Sequence, residues 1–335
     1  MPQPLVSILM PYKNTANYLT DCLESILAQS YTNWELIAIN DHSTDGSFTL
    51  VSAYAKKEAR IRTFTNSGIG IIPALRMAYT HSQGTFITRM DSDDLMTPNR
   101  IRKMVADLNE KGTGHLSVGQ VRYFSKLGIS NGYERYEQWL NGLTAIGTNF
   151  SEIYKECVVP SPCWMIHRSD FDACNGFDSD RYPEDYDLAF RFYEGELQII
   201  PCSEVLLFWR DYDSRTSRTS RHYAQNYFLD IKLHYFLKLH WEKNKHLVVW
   251  GAGKKGKQIA QMLLDASITF NWICNNPKKT GKDIYGITIQ TFSELEKMGD
   301  FQSIITVANE KEQQEIRTYL YTLEKKPMIH YFFFC

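Results

Sequence analysis

The feature that most constrains this chain is the alternation of short apolar runs with helix-period segments through its first hundred residues. Val6–Met10 reads as a strand, and Leu19, Cys22, Leu23, Ile26 and Leu27 then recur at helical spacing. Glu35–Ile39 is a second strand, and a helix follows Asp45-Gly46. Ile71–His81 reads as a further helix and Thr85–Thr88 as a further strand. Thr97-Pro98 predicts a capped helix start, continued by Ile101, Met104, Val105 and Leu108 on one face. Repeated β-α-β units imply a parallel sheet covered by helices, with ligands bound beyond the carboxyl ends of the strands. Residues just after strands therefore carry the functional information.

After the strand at Thr85–Thr88 comes Arg89-Met90-Asp91-Ser92-Asp93-Asp94. Carboxylates this dense repel one another unless a cation or hydrogen-bond donors compensate. A hard divalent ion, Mg²⁺ or Mn²⁺, takes such oxygens together with substrate phosphates. It would neutralise charge as a sugar–phosphate bond breaks. The alternative is a solvated turn whose carboxylates favour the next helix N-terminus. Asn40-Asp41-His42-Ser43-Thr44-Asp45-Gly46 likewise follows a strand and reads either as a ligand-binding carboxylate or as an Asx turn opening a helix. Glu184-Asp185 follows Pro183 and precedes Leu188, Ala189 and Phe192, which places the acidic pair in the first turn of a helix. There it is either a catalytic base or a complement to the helix dipole.

Taken in order, these segments resemble the inverting family-2 glycosyltransferases of the GT-A fold. The resemblance runs over about residues 4–221. It rests on Val6–Pro11, Tyr18-Leu19 with Cys22-Leu23, Asn40–Gly46, Asn66-Ser67-Gly68, Ala74-Leu75-Arg76, Gly84–Ile87, Arg89–Asp94, Gly176-Phe177-Asp178 and Glu184–Leu188. It implies that Asp41 contacts the nucleotide base with Pro11 lining the base pocket. Asp91 is then expected near the ribose, Asp93 on a diphosphate-bound Mn²⁺ or Mg²⁺, and Asp185 as general base with Glu184 orienting the acceptor. The chain departs from the family pattern at Lys13, Asn40 and Arg76. Arg76 reads as a phosphate contact or as a surface charge. Beyond the strand-like Val205–Trp209, a Ser/Thr/Arg-rich stretch begins at Arg210 and includes Arg215, Arg218 and Arg221. It reads as a loop that closes over the donor, with Arg210 on the diphosphate, or as a solvated linker.

The expected organisation is a transferase domain over residues 1–222, a connecting helix over 223–244 and a small Rossmann-like domain over 245–335. In the last, His246–Trp250 reads as a strand, and Gly251, Gly253 and Gly256 open a helix in the context of a dinucleotide fingerprint. The acid expected about 20 residues later to hold a ribose is replaced by Cys274-Asn275-Asn276. This leaves a structural or regulatory role alongside nucleotide binding. Thr291-Phe292-Ser293-Glu294 reads as a capping box, and Tyr331–Phe334 as a buried strand.

Composition narrows the partners. A formal charge of −1 offers no global attraction to nucleic acid. No apolar run approaches the ~18 residues of a membrane span. The seven scattered cysteines fit a reducing, cytoplasmic setting rather than a disulfide framework. Tyr227, Ile231, Phe236 and Leu237 are either packing residues or a peripheral contact with the inner membrane face. The expected activity is transfer from a nucleotide-diphosphate sugar, uridine being the expected base, to a glycan or lipid-linked acceptor in surface polysaccharide synthesis. A sugar nucleotidyltransferase and a non-catalytic nucleotide-sugar-binding protein are the alternatives. Donor sugar, acceptor and oligomeric state stay open at this level.

Overall fold

In the computed structural model, which describes residues 3–126, 128–213, 215, 218 and 228–335, the chain divides into two units. The first comprises Met1–Phe150 with Cys157–Arg215, and the second Ser151–Glu156 with Thr216–Cys335.

The first unit contains strands β1 (Val6–Tyr12), β2 (Trp34–Asn40), β3 (Ile61–Thr65), β4 (Phe86–Arg89), β5 (Leu95–Met96), β6 (His115–Val118), β7 (Gln120–Phe124), β8 (Trp164–His167), β9 (Gln198–Ile200) and β10 (Val205–Arg210). Its helices are α1 (Ala16–Leu27), α2 (Ser47–Lys57), α3 (Ile71–His81), α4 (Arg100–Lys111), α5 (Asn131–Ile146), α6 (Arg168–Ala173) and α7 (Glu184–Glu194). The main sheet runs β3-β2-β1-β4-β8-β6-β9, and a smaller one runs β5-β10-β7. β1 and β2 are buried at every position, as befits central strands covered on both faces. α1 buries Leu19, Cys22, Leu23 and Ile26 against them. Each such side chain contributes about 1.5–3 kcal/mol relative to exposure.

Two local readings change, and one strand went unread. The sheet is mixed, because β8 runs antiparallel to both β4 and β6. Alternation of elements reports neighbours in sequence, and β8 enters from a distant segment. The helix expected at Thr97-Pro98 starts at Arg100 after Asn99. The Thr97 N–H is instead committed to the Leu206 carbonyl at 3.1 Å. β3 buries only Ile61 fully, so it leaves little apolar signal.

The parallel strands β1, β2 and β4 end at one edge of the sheet. Lys13, Asp41 and Asp91 follow those three ends.

The second unit holds α8 (Leu229–Leu239), β11 (His246–Trp250), α9 (Lys254–Asp265), β12 (Asn271–Cys274), the hairpin β13 (Asp283–Ile284) with β14 (Ile287–Thr288), β15 (Gln290–Thr291), β16 (Phe301–Ile305), α10 (Glu310–Thr322) and β17 (Tyr331–Phe333). Its parallel sheet runs β15-β12-β11-β16-β17, the Rossmann-like order expected. The hexapeptide Ser151–Glu156 belongs here. Tyr154 stacks on Phe334 with centroids 5.3 Å apart, and Glu152 pairs with Arg317 at 2.8 Å. In α8, Ile231 and Phe236 are fully buried, which is the packing reading of that apolar stretch. Tyr223–Tyr227 and Arg221 lie outside the described residues. Thr291 precedes a 3₁₀ helix, Phe292–Lys297, without the side-chain cap expected of a capping box.

The glycine loop of this unit is shaped by packing. Gly251 has φ +117°, and a Cβ on Gly256 would stand 2.0 Å from the Gly251 carbonyl oxygen, whereas one on Gly253 would meet nothing within 4 Å. Asn275, near where a ribose-binding acid is expected, accepts the Trp250 indole N–H at 2.8 Å.

Candidate active site

The first group of residues surrounds Asp41, beyond β2. Its Oδ1 accepts the Asn66 amide at 2.8 Å and the Gly70 backbone N–H at 2.9 Å. Its Oδ2 accepts the Lys13 ammonium at 3.1 Å. Burial works against the ionised form, but the Gly70 N–H, Asn66 and Lys13 outweigh it and hold the carboxyl below its ordinary value. Gly70 has φ +95° as the residue before α3, a backbone that favours glycine. The bend aims its N–H at Asp41. Pro11 is buried within β1 opposite Ile39. Asn40 Oδ1 accepts the backbone N–H of Ser43 at 3.0 Å. Asp45 accepts the N–H groups of Ala16 and Ser47 at 3.1 and 2.9 Å, so its part of the motif is structural.

The second group is the acidic turn after β4. Arg89 ends that strand. Its Nε donates to Asp91 Oδ1 at 3.0 Å, and its Nη1 donates to Glu184 Oε1 at 2.9 Å. Two acidic motifs 95 residues apart along the chain from Arg89 to Glu184 thereby share one guanidinium. Arg100, fully buried, donates to the Arg89 carbonyl and to Thr88 Oγ1, each at 3.0 Å. This fixes the strand end and places a positive charge beneath the acids. Asp93 Oδ2 accepts the Tyr212 hydroxyl at 2.9 Å. Burial raises the Asp93 carboxyl, with Arg215 opposing and Asp91 adding to the shift. Asp94 is fully buried, and its Oδ1 accepts the Arg210 backbone N–H at 2.8 Å. Its Oδ2 has no hydrogen-bond partner among the described residues. The Arg210 side chain donates to the Asp93 carbonyl at 2.7 Å and to Asp21 at 3.0 Å.

The third group opens α7. Glu184 is buried and Asp185 partly so. Burial, with Asp185 adding and Arg89 opposing, pushes the Glu184 carboxyl up to about 7. Burial likewise raises Asp185 against the pull of Arg89. A carboxyl with raised proton affinity beside a second acid is a group suited to taking a proton near neutral pH.

Arg89 thus joins Asp91 to Glu184, with Asp185 next along α7, while Arg210 meets Asp93 two residues beyond Asp91 in the same turn. Arg76 is engaged otherwise. Its Nε donates to the Phe177 carbonyl at 2.7 Å, and its Nη2 to the Asp178 carbonyl and to Asp180 at 2.6 and 2.7 Å. It anchors the segment before α7, a structural engagement that neither of the two sequence readings, phosphate contact or surface charge, described. Sequence reasoning gave no role to Arg89, Asp94, Arg100 or Tyr212. Arg89 offered one signal, a cation at the last strand position before the acidic cluster.

These residues can also be tested against a divalent cation. Among the described residues no three His, Cys, Asp or Glu side chains gather as a metal cluster. A divalent cation held here would take few protein oxygens and would need donor phosphates and water to complete its shell, as Mg²⁺ commonly does. The Asp94 Oδ2, buried and without a hydrogen-bond partner among the described residues, is the feature of this turn that such an ion would fit.

A profile described as Glycosyl transferase family 2 matches residues 7–174. The glycosyltransferase EpsE of Bacillus subtilis, itself a provisional assignment, is 32% identical over 227 residues, 66% of this chain and 78% of that protein. The chain belongs to glycosyl transferase family 2. The transferase also overlays TarS residues 1–349 of S. aureus in complex with UDP-GlcNAc, with TM-score 0.54 and 15% identity over 77% of this chain and 71% of that one. It overlays the mannosyltransferase PcManGT of Pyrobaculum calidifontis, in complex with GDP-Man and Mn²⁺, with TM-score 0.53 and 19% identity over 71% and 70%. At these identities the likeness establishes the fold, the GT-A transferase fold expected from sequence. No helix of the described residues is long and apolar enough to cross a membrane.

Proposed function

We propose that this glycosyltransferase moves a sugar, with inversion, from a nucleoside-diphosphate donor to an acceptor hydroxyl, with Asp185 as the base. The observation that carries the reading is the Arg89 bridge from Asp91 to Glu184, which sets the donor-side turn beside the base helix. The acceptor's proton passes to Asp185 as its oxygen bonds to the anomeric carbon, and the bond to the diphosphate breaks on the opposite face. One displacement assisted by one base inverts that centre. Asp93 would hold a divalent cation on the diphosphate, where the ion neutralises charge gathering on the leaving group. Arg210 stands beside Asp93 as the cation for the diphosphate oxygens.

Asp41 supports a particular class of base. An anionic acceptor suits the N3–H of uracil or the N1–H of guanine and offers nothing to the unprotonated N3 of cytosine. The two structural neighbours named above carry UDP-GlcNAc and GDP-Man, in line with that division, and uridine is the reading retained. The acceptor is read as a glycan, free or lipid-linked, on the way to a surface polysaccharide. The test is turnover of UDP- and GDP-sugars with Mn²⁺ or Mg²⁺ against free and lipid-linked glycans, with the product anomer assigned by NMR. The expected result is nucleoside diphosphate release, inversion, and loss of metal-dependent donor binding in Asp93→Ala. Release of pyrophosphate would point to nucleotidyl transfer instead.

A further inference from the structure

Arg89 is almost wholly buried, with 5% of its side chain exposed, and its guanidinium is held from both sides. Asp91, just past the end of β4, takes Nε and Nη2 at 3.0 Å, and Glu184, the first residue of α7, takes Nη1 at 2.9 Å. Its own carbonyl is pinned by Arg100, so the bridge starts from a fixed point. Asp185 is the next residue along α7 and feels the same charge. Three carboxylates therefore depend on one guanidinium. Among the described residues, other charged groups near this end of α7 include Asp187, bound to Arg191 at 2.9 Å, Arg181, 3.7 Å from Asp187, and the Arg76–Asp180 pair at 2.7 Å just before the helix. Those cations are already matched to an acid of their own.

We propose that Arg89 is a positioning residue for the transfer reaction: its guanidinium fixes the base helix to the ribose-side Asp91 and keeps the Glu184–Asp185 pair in the ionised form that accepts a proton. The proposal rests on the reading of Asp185 as the base. A planar guanidinium can hold two acids in one geometry, whereas an ammonium supplies charge without that fork. The pair also titrates as a unit, because each acid raises the other's proton affinity. Removing the cation should move the acid limb of the reaction upward, and removing Glu184's charge should move it downward.

The test is the pH profile of kcat/KM for the acceptor at saturating donor, from pH 5 to 10, on the full chain. In Arg89→Gln the acid limb should rise by about 1–3 pH units, the range set by loss of an adjacent opposite charge, with activity recovering at high pH. Arg89→Lys should keep the limb near its original place but lose kcat, since the two-sided grip is gone. Glu184→Gln, nearly isosteric and still able to accept from Arg89, should lower the limb. A merely structural Arg89 would give an equal loss at every pH with the limb unmoved, and that result overturns the proposal. If Arg89→Gln is insoluble, the nearly isosteric and uncharged Arg89→Met is read in its place, and an unmoved limb in it overturns the proposal. Asp185→Asn separates the two levels. Wild-type transfer by it would sink the assignment of the base, whereas an inactive Asp185→Asn with an unmoved limb in Arg89→Gln sinks only the role of Arg89.

Discussion

Asp41→Asn is the most discriminating single change on the donor side. In the native site Oδ1 is saturated by Asn66 and Gly70 at 2.8 and 2.9 Å, so a base N–H must approach Oδ2, which now faces Lys13 at 3.1 Å. The Lys13 side chain is half exposed. Its ion pair contributes only about 0–1 kcal/mol and yields readily to a ligand. In the Asp41→Asn variant the new amide oxygen keeps the Asn66 and Gly70 bonds, which turns the amide N–H₂ toward the base and Lys13. A charged hydrogen bond worth about 1.5–3 kcal/mol becomes a donor–donor contact. The expected loss is about 10–150-fold in donor affinity, at about 1.4 kcal/mol per tenfold. Because the contact lies far from the bond being broken, it is equal in ground and transition states. KM for the donor should rise while kcat at saturation holds. Calorimetric titration with UDP and with N3-methyl-UDP gives the decisive comparison. Wild type should discriminate strongly between them and Asp41→Asn should not. Unchanged donor affinity in a folded Asp41→Asn, or a fall in kcat at constant KM, would refute the reasoning.

Three further outcomes follow from the same geometry. Asp185→Asn should reduce transfer by about 10²–10⁴-fold, the usual worth of a positioned base, while donor binding by calorimetry stays within about twofold. Arg210→Ala removes the contacts to the Asp93 carbonyl and to Asp21. It should weaken donor binding about tenfold or more, and unaltered affinity with unaltered turnover would remove Arg210 from the site. Gly256→Ala drives a methyl group to 2.0 Å from the Gly251 carbonyl oxygen and should destabilise the second unit by about 1–3 kcal/mol. Differential scanning calorimetry should show a lowered transition for that unit, with donor binding in the first unit retained.

Much of the fold was legible because the signals were local. Helix α1 announces itself through Leu19, Cys22, Leu23 and Ile26, all of which are buried, and α3 begins and ends where its periodicity does. The antiparallel entry of β8 was not legible, since register between segments about 80 residues apart leaves no mark on either one alone. Just before the helix start at Arg100, the Thr97 N–H bonds the Leu206 carbonyl, and no window around Thr97 contains that partner. The excursion of Ser151–Glu156 into the second unit is the same kind of fact. Tyr154 meets its stacking partner Phe334 only after the chain has folded.

The candidate site divides along the same line. Asp41, Asp91, Asp93 and Asp185 stood out in the sequence as acids after strands or in the first turn of a helix, and the resemblance to family-2 glycosyltransferases gave each its expected role. Sequence reasoning singled out Arg76 and gave no role to Arg89, an arginine of equal charge. Tertiary structure commits Arg76 to the carbonyls of Phe177 and Asp178 and sets Arg89 between two acids. The sequence determined which elements form and which acids stand at their ends, since backbone propensity and hydrophobic period act over a few residues. Which cation meets which acid, and how strongly each acid holds its proton, only the tertiary structure decided, because burial and charge act through space between segments the chain keeps far apart.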